Sequence, residues 1–329
     1  MMVENNKIVT TPLVSIIVIT YNSSNYVLET LESAKVQTYK KIELIISDDC
    51  STDDTVAVCE AWLKENKACF ERTKLITVKK NTGIPKNCNR GLYAAKGEWV
   101  KTIAGDDALM INCIKDNIAF VQSNTDIQFC FSDYEAYLNT FDTENLKVHK
   151  EYYLENSKKF SQLNSKFQIQ VLARGSVLNA PSFFFKKREI LKIGGYNETF
   201  KEMEDWSTFF DILKAKYKFY FLPIKTVKYR LHSNSISRIK DAQNYEFSNF
   251  ALKTESMIKN NFYKYYTNKE KILFYLEYSY YKFYLKRKII NIMDKIIRRI
   301  WYYFVVLSLN ERLKSLDKYY KKFNKIGLK

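Results

Sequence analysis

The fold is decided by an apolar, largely β-branched stretch that ends in two polar residues, Pro12-Leu13-Val14-Ser15-Ile16-Ile17-Val18-Ile19-Thr20-Tyr21-Asn22. A nearly unbroken run of this kind is typical of a strand that is covered on both faces of a parallel sheet. Beyond the polar residues 21–25, apolar residues follow at helical spacing from Val27 to Ala34. This part of the chain is therefore predicted to form a strand, a polar loop and a helix.

The same pattern repeats further along the chain. Strands are predicted over residues 42–47, 74–79 and 99–104, and helices over residues 56–63 and up to residue 95. Polar loops follow the strands at residues 48–55, 81–83 and 105–107. Strands that alternate with helices predict an α/β fold with a doubly wound, mostly parallel sheet, in which ligands bind beyond the carboxyl ends of the strands.

The second half of the chain is less regular. Strands are predicted over residues 127–132, 180–185, 219–222 and 226–231, and a helix over residues 204–215. No structure is assigned to the polar residues 133–166. Beyond residue 239 the sequence becomes helical, basic and rich in aromatic residues, so we predict a catalytic domain over residues 1–239 and a helical extension over residues 240–329.

Composition and charge limit the class of protein. The chain has 329 residues and a formal net charge of +17, and residues 241–329 hold 19 Lys and Arg against 8 Asp and Glu. Six scattered cysteines fit neither a zinc site nor a disulfide framework, and the N-terminus has no pattern of a secretory signal. A reducing cytoplasm is the expected location.

The basic extension has the pattern of an amphipathic helix. An apolar stripe, Leu285, Ile289, Ile292, Ile296 and Ile300, is flanked by Lys286, Lys288, Lys295, Arg298 and Arg299. Such a helix is expected to lie on an anionic membrane surface, here on the inner face of the cell membrane, while a subunit contact or solvated helices are the alternatives. The longest apolar run, 300–309, is shorter than the roughly 20 residues of a membrane-spanning helix.

Pairs of acidic residues lie at one end of three of the predicted elements. Asp106-Asp107 ends a strand and could hold Mg²⁺ or Mn²⁺ together with substrate phosphates, or simply cap a turn. Asp48-Asp49 ends another strand and could cap a helix or bind a base or ribose, with Tyr21 as a stacking face. Glu204-Asp205 starts a helix, where acids are stabilised by the helix dipole, but a carboxylate there could also be a general base beside Trp206.

Only two histidines are present. His232 lies in a group of polar residues, 229–237, that is suited to phosphate oxygens or to completing a metal shell, although a lone histidine is more often structural. His149 receives no role.

In order along the chain, these segments resemble the family 2 glycosyltransferases of the GT-A fold, of the type that assembles bacterial polysaccharides and other glycans. The resemblance covers roughly residues 13–237. The segments that carry it are 14–22, 43–55, Asn81-Thr82-Gly83 with 87–91, 95–98, Ala104-Gly105-Asp106-Asp107, Gly194-Gly195-Tyr196, Glu204-Asp205-Trp206 and Tyr229-Arg230-Leu231-His232.

The resemblance implies a Rossmann-like, mostly parallel sheet flanked by helices, and a metal-assisted, inverting transfer from a nucleotide-diphosphate sugar, with UDP favoured, to a glycan or lipid-linked glycan. It places the donor beside Thr20, Tyr21, Asn22, Asp48, Asp49, Lys86, Arg90, Asp106, Arg230 and His232. Asp107, with His232, would hold a Mn²⁺ or Mg²⁺ ion, and Asp205 would deprotonate the acceptor. Glu204 and Trp206 would lie on the acceptor side.

Two departures and two alternatives accompany the resemblance. Cys50 stands where many relatives have glycine, and the metal motif is Gly-Asp-Asp instead of Asp-x-Asp. A dinucleotide-dependent oxidoreductase is disfavoured because residues 21–24 lack the glycines that pyrophosphate approach requires. The other alternative is a catalytically degenerate relative that binds nucleic acid or another anionic partner through the basic extension.

Overall fold

Four neighbouring parallel strands form one side of the sheet. In the computed structural model, which describes residues 11–147, 151–175, 178–200, 204–232 and 254–283 with a few positions between 307 and 315, β1 Val14–Thr20 lies between β2 Ile42–Asp48 and β4 Trp99–Ala104. β3 Arg72–Ile76 pairs with the other edge of β2. The predicted α/β fold with a mostly parallel sheet is confirmed.

The remaining strands are β5 Ala108–Leu109, β6 Phe129–Leu138, β7 Leu146–Lys147, β8 Phe184–Lys186 and β9 Phe219–Leu231. The helices are α1 Val27–Lys35, α2 Thr55–Asn66, α3 Ile84–Ala94, α4 Cys113–Ser123, α5 Glu151–Gln162, α6 Ser165–Leu172, α7 Lys187–Lys192, α8 Glu204–Lys214 and α9 Asn268–Phe283.

The described residues divide into two compact units. Of these, residues 11–135, 179–200, 204 and 222–229 belong to the first unit, and residues 136–147, 151–175, 178, 205–221 and the described residues from 230 onward belong to the second. The sheet has the strand order β3-β2-β1-β4-β8-β6-β9-β5, to which β6 contributes its residues up to Glu135 and β9 its residues 222–229 within the first unit. In the second unit β7 pairs with the last residues of β6.

The core of the first unit lies on both faces of the parallel strands. All seven residues of β2 and six of the seven of β1 are buried, as the apolar sequence predicts for a strand covered on both sides. α3 lies so close to the sheet that a Cβ on Gly91 would be 2.4 Å from Cγ2 of Ile17. Glycine at position 91 is therefore a packing requirement.

Several predicted boundaries shift. β3 covers residues 72–76 instead of 74–79, because its pairing with β2 ends where Ile76 lies opposite Ser47. Residues 219–231 form one strand instead of two, although they include Pro223. The predicted strand 180–185 is wrong in its first half, where Ala180–Ser182 form a 3₁₀ turn and the buried ammonium of Lys101 binds the Pro181 carbonyl at 2.6 Å.

In the second unit, residues 254–283 pack against α6 and α8. Arg174, just after α6, donates to both carboxylate oxygens of Glu270 at 2.7 and 2.9 Å, and both side chains are buried. The ring of Phe262 stacks on Trp206, with centroids 5.2 Å apart. The predicted boundary at residue 239 and the basic amphipathic stretch 285–300 lie outside the described residues.

Within the described part of the chain, no helix combines the length and the apolar character needed to cross a membrane.

Candidate functional site

Three loops of the first unit follow the carboxyl ends of neighbouring parallel strands. The first loop, residues 21–26, follows β1; the second, residues 49–54, follows β2; and the third, residues 105–107, follows β4. In the sheet Thr20 is level with Asp48, and Ile19 is level with Ala104. The loops therefore begin at one edge of the sheet, where α/β proteins bind ligands.

The first and second loops are joined by hydrogen bonds in both directions. Asn22, with a left-handed φ of 51°, donates its N–H to Ser51 Oγ at 2.8 Å and accepts from Thr52 N–H at 2.8 Å. Further bonds run from Ser23 N–H to Thr55 Oγ1 and from Ser24 N–H to Asp53 Oδ2. The two loops are consequently bonded into one surface. Tyr21, in the first loop, is 50% exposed.

The second loop turns at Cys50. This residue has a φ of 69°, in the left-handed region that a side chain with a Cβ disfavours. This geometry explains why many of the proteins that the sequence resembles have glycine at this position.

Asp48 is buried and organises the second loop. Its carboxylate accepts from Thr20 Oγ1 at 2.8 Å, from Ser51 N–H at 2.8 Å and from Ser51 Oγ at 2.5 Å. Both Thr20 and Asp48 thus hold the loops in place, and the predicted contact of either residue with a donor stays a prediction.

Asp49 is also buried, and four donors surround its carboxylate. Oδ2 accepts the N–H groups of Thr82 and Gly83 at 2.9 and 2.7 Å, while Oδ1 accepts Thr82 Oγ1 at 2.6 Å and Arg90 Nη2 at 3.0 Å. Burial alone would raise the pKa of Asp49, but these donors outweigh it and hold that pKa below its ordinary value. The carboxylate is therefore ionised and joins the second loop to the turn before α3.

Arg90 on α3 completes this arrangement. Besides Asp49, its guanidinium donates to the main-chain oxygen of Asp48 at 3.2 Å, to Asn87 Oδ1 at 2.9 Å and to Thr82 Oγ1 at 2.7 Å. A planar group with five donors suits such a set of oxygens. Arg90 thus fixes the end of β2 relative to α3.

Lys86 differs from Arg90 although both are predicted donor cations. It lies in the first turn of α3, its side chain is exposed, and its ammonium is 4.0 Å from Glu198 Oε2. An anion could bind at this position, because the helix dipole favours negative charge at a helix N-terminus and the exposed ammonium of Lys86 adds positive charge.

The third loop contains the two adjacent aspartates. Its Gly105 lies close to the end of β1 and to the first loop, since a Cβ there would lie 2.8 Å from Cγ2 of Thr20 and 3.3 Å from Cβ of Ser23. Asp106 is half-buried and Asp107 is buried. The main chain of Asp107 is held by Ala104, whose carbonyl accepts its N–H at 3.2 Å, and by Thr30, whose hydroxyl donates to its carbonyl at 2.6 Å.

The Gly194-Gly195-Tyr196 turn packs against α3. Asn89 accepts from the N–H of Tyr196 at 2.7 Å and donates to the carbonyl of Tyr196 at 2.9 Å. Gly195 has a φ of 83°, and a Cβ on it would lie 2.5 Å from Asn89 Oδ1. The glycine motif is therefore required for both conformation and close packing.

Asp205 lies in the second unit, in the first turn of α8. Its Oδ1 accepts the N–H of Trp206 at 2.6 Å. Burial raises the pKa of Asp205 above its ordinary value, and the N–H of Trp206 opposes this only in part. A carboxylate with a raised pKa is a stronger base than an ordinary one.

Other predicted site residues of the second unit have packing contacts. Trp206 donates its indole N–H to the carbonyl of Leu172 at 3.0 Å. Arg230 is buried, binds the carbonyl of Asn139 and lies over the ring of Phe141 at 3.8 Å. His232 is also buried. The predicted contacts of these residues, and of Glu204, with donor, metal or acceptor stay predictions.

A family model supplies the deciding comparison. The model described as glycosyl transferase family 2 matches residues 15–194, which is more than half of the chain. The chain belongs to glycosyl transferase family 2.

Two similar proteins are also named as glycosyltransferases. An uncharacterised glycosyltransferase of Rickettsia typhi is 30% identical over 229 residues, which cover 67% of this chain and 64% of the relative's length. The Escherichia coli enzyme named UDP-Glc:alpha-D-GlcNAc-diphosphoundecaprenol beta-1,3-glucosyltransferase WfaP is 37% identical over 124 residues, or 37% of this chain and 46% of that protein.

A solved structure supports the GT-A fold. The mannosyltransferase PcManGT from Pyrobaculum calidifontis, in complex with GDP-Man and Mn²⁺, aligns with a TM-score of 0.54 at 14% identity. The alignment covers 94% of this chain and 74% of that chain. At this identity the likeness concerns the fold.

The donor set of this family 2 glycosyltransferase fits a divalent cation at the third loop. Asp106 and Asp107 supply hard carboxylate oxygens at one strand end, and Mg²⁺ or Mn²⁺ is commonly held by one or two carboxylates together with substrate phosphates. Among the described residues no three His, Cys, Asp or Glu side chains cluster as a complete protein shell would require. The two carboxylates could hold such a cation as part of its shell, with the remaining ligands supplied from elsewhere.

Sequence reasoning missed three polar side chains that bond the main chain of Asp107 and of the residues that follow it. Thr30 and Ser33 on α1, with Gln37 two residues beyond it, are all buried, although polar, on the side of α1 that also buries Leu31 and Ala34. A polar residue on a predicted apolar helix face was the available signal.

Proposed function

We propose that this chain is an inverting glycosyltransferase that transfers a sugar from a nucleotide-diphosphate sugar to a hydroxyl group of a glycan or lipid-linked glycan. The observation that carries the proposal is the arrangement of the first, second and third loops, with their aspartates, at one edge of the parallel sheet within the region that matches the family. A UDP-sugar is the favoured donor, consistent with the UDP-Glc in the name of the E. coli relative.

The first unit would bind the donor. The exposed ring of Tyr21 offers a stacking face for the base, and the Lys86 ammonium offers a charge for the diphosphate. Asp49 and Arg90 would border the base, while Thr20, Asn22 and Asp48 shape the pocket by holding the first two loops. Asp106 would contact the ribose.

Asp107 would hold the divalent cation, with His232 as a further ligand of the cation or diphosphate and Arg230 beside it. When bound, Mn²⁺ or Mg²⁺ stabilises the negative charge that develops on the β-phosphate oxygen as the sugar leaves. The Mn²⁺ in the PcManGT complex agrees with this choice of cofactor.

Asp205 would be the general base. Its carboxylate takes the proton of the acceptor hydroxyl while the acceptor oxygen forms a bond to the anomeric carbon. The bond from that carbon to the β-phosphate oxygen breaks with its electron pair going to the nucleoside diphosphate. This single displacement inverts the anomeric configuration, and Glu204 and Trp206 would lie on the acceptor side.

The acceptor is proposed to be membrane-associated. The E. coli relative is named for a diphosphoundecaprenol-linked acceptor. The excess of Lys and Arg in residues 241–329 favours an anionic lipid surface, at the inner face of the cell membrane. Flotation with anionic and with neutral liposomes, comparing the full chain in low and high salt, tests this part separately.

A thermal-shift screen of UDP-, GDP- and dTDP-sugars, each with Mn²⁺ or with EDTA, tests the donor. We expect one nucleotide class to stabilise the protein only with Mn²⁺, and Asp107→Asn to abolish that shift. If no nucleotide stabilises the protein while nucleic acid binds with strong salt dependence, the alternative of a degenerate, anion-binding relative replaces this proposal.

A further inference from the structure

Three polar side chains on α1 and just beyond its end, called here the α1 stripe, contact the segment that begins at Asp107. The stripe consists of Thr30, Ser33 and Gln37, which are 1%, 9% and 1% exposed. A buried hydroxyl or amide destabilises the fold unless it is hydrogen-bonded, so the partners of these side chains reveal what the stripe does.

Each side chain of the stripe bonds to the main chain of residues 107–114. Thr30 Oγ1 donates to the carbonyl of Asp107 at 2.6 Å, and Ser33 Oγ accepts the N–H of Leu109 at 3.0 Å. Gln37 donates to the carbonyl of Met110 at 2.8 Å and accepts the N–H of Ile114 at 3.1 Å. The α1 stripe therefore bonds the main chain at several points between Asp107 and the first turn of α4.

The segment has little regular structure of its own near Asp107. β5 has only two residues, Ala108 and Leu109, and pairs with β9. A strand of this length contributes little independent rigidity. The side chains of the stripe supply main-chain hydrogen bonds that a longer strand would have supplied.

Thr30 acts nearest to the aspartates. Its hydroxyl fixes the carbonyl of Asp107, while the N–H of Asp107 is fixed by Ala104. With both main-chain groups held, the direction in which the Cα–Cβ bond of Asp107 leaves the main chain is set. A ligand carboxylate that is oriented by such partners binds a metal more tightly than one that must be ordered on binding.

We infer that Thr30 is a positioning residue for Asp107, whose carboxylate it orients for a cation shared with the donor diphosphate, while Ser33 and Gln37 hold the segment that follows Asp107. This inference rests on the proposed function. It adds a residue outside the acidic motifs on which binding of the cation depends.

The test compares wild type, Thr30→Val and Thr30→Ser. Valine keeps the shape of threonine but cannot donate, whereas serine retains the hydroxyl. For each protein, Mn²⁺ is titrated at fixed UDP and, in parallel, fixed GDP, and the Mn²⁺ concentration that gives half of the thermal shift is measured. We expect Thr30→Val to raise this concentration by about tenfold and Thr30→Ser to restore it.

Ser15→Ala is the matched control. Ser15 is equally buried in the same unit, but its hydroxyl bonds Glu43 and the N–H of Gly97, at the opposite end of β1 from the loops. Ser15→Ala should lower the melting temperature without changing the Mn²⁺ concentration at half of the thermal shift. If Thr30→Val lowered the melting temperature but left the Mn²⁺ concentration at half of the thermal shift unchanged, Thr30 would have only a structural role. Absence of any Mn²⁺-dependent shift in wild type with UDP and GDP here, and with dTDP-sugars in the screen above, would overturn the proposed metal-assisted donor site, and this inference with it.

Discussion

Arg90 Nη2 lies 3.0 Å from Asp49 Oδ1, and this ion pair joins α3 to the end of β2. Only 18% of the Arg90 side chain and 3% of the Asp49 side chain are exposed, so the pair is largely removed from solvent. Thr82 bonds to both residues. These contacts therefore connect the second loop to the turn before α3.

Replacing Arg90 with Met should leave Asp49 buried without its cation. We expect a loss of about 3 kcal/mol in the free energy of unfolding, because breaking a buried pair strands a charge. Denaturant unfolding measures this loss. Lys86→Met, on the same helix but exposed, is the control and should change the free energy of unfolding by less than about 0.5 kcal/mol. Equal effects of the two changes would show that the Arg90 pair does not stabilise the loops.

Glu43 gives a prediction on pH. Its buried carboxylate accepts from Ser15 Oγ at 2.5 Å, Gly97 N–H at 2.9 Å and Arg72 Nη1 at 2.7 Å, and also from the N–H of Lys96. Burial acts to raise the pKa of Glu43, but these donors prevail and lower it. A lowered folded-state pKa means that the stabilisation is complete above the unfolded-state pKa and is lost as the pH falls through the folded-state pKa.

Glu43→Gln should accordingly destabilise the protein by about 2 kcal/mol at neutral pH, and the difference from wild type should narrow in acid. Urea unfolding across a pH series measures it. Glu98→Gln removes a half-exposed partner of Lys186 and serves as control, with little effect at any pH. A Glu43→Gln deficit that stayed constant from neutral to acid pH would contradict the assignment of the charged form.

The parallel half of the sheet was predictable from sequence because its signals are local. Residues 14–20 and 42–48 are predominantly apolar strands, and both are found with shifts of at most two residues at their ends. The three polar loops were also placed correctly, since each directly follows such a strand. Position along the chain was enough to bring Asp49 and Asp107 to the same edge of the sheet.

What could not be predicted depends on contacts between residues distant in the chain. The polar residues 133–166 gave no pattern, yet they contain α5 and the start of α6. α6 is stabilised in part by Gln168, whose side chain bonds both main-chain groups of Phe219 at 2.8 and 2.9 Å. The inward-facing roles of Asp48 and Asp49 were hidden for the same reason, because Thr20, Thr82 and Arg90 meet them only in the folded chain.

Cys50 gives a prediction on backbone strain. Its left-handed conformation costs roughly 1 kcal/mol for a residue with a Cβ, and glycine avoids that cost. Cys50→Gly should therefore raise the free energy of unfolding by about 1 kcal/mol relative to Cys50→Ala, which removes the thiol but keeps the Cβ. Thermal unfolding of both variants measures the difference. If the alanine variant were as stable as the glycine variant, the turn would not be strained.

Asp205 gives the prediction on catalysis. With its pKa raised by burial, the carboxylate should accept a proton from the acceptor hydroxyl more readily than an ordinary aspartate, and kcat/KM should fall in acid with a midpoint above the ordinary range for aspartate.

Asp205→Asn keeps the size of the side chain but removes the base, so kcat should drop by about 10²–10⁴-fold while the Mn²⁺-dependent thermal shift with nucleotide is unchanged. Release of nucleoside diphosphate, measured with polyprenyl-diphosphate-linked sugars as acceptors, follows the reaction. Glu204→Gln, one residue earlier, is the matched control and should retain the acid limb. Because donor binding is read separately from turnover, an Asp205→Asn enzyme that still turned over at the wild-type rate would assign the base to another residue and leave the donor site intact.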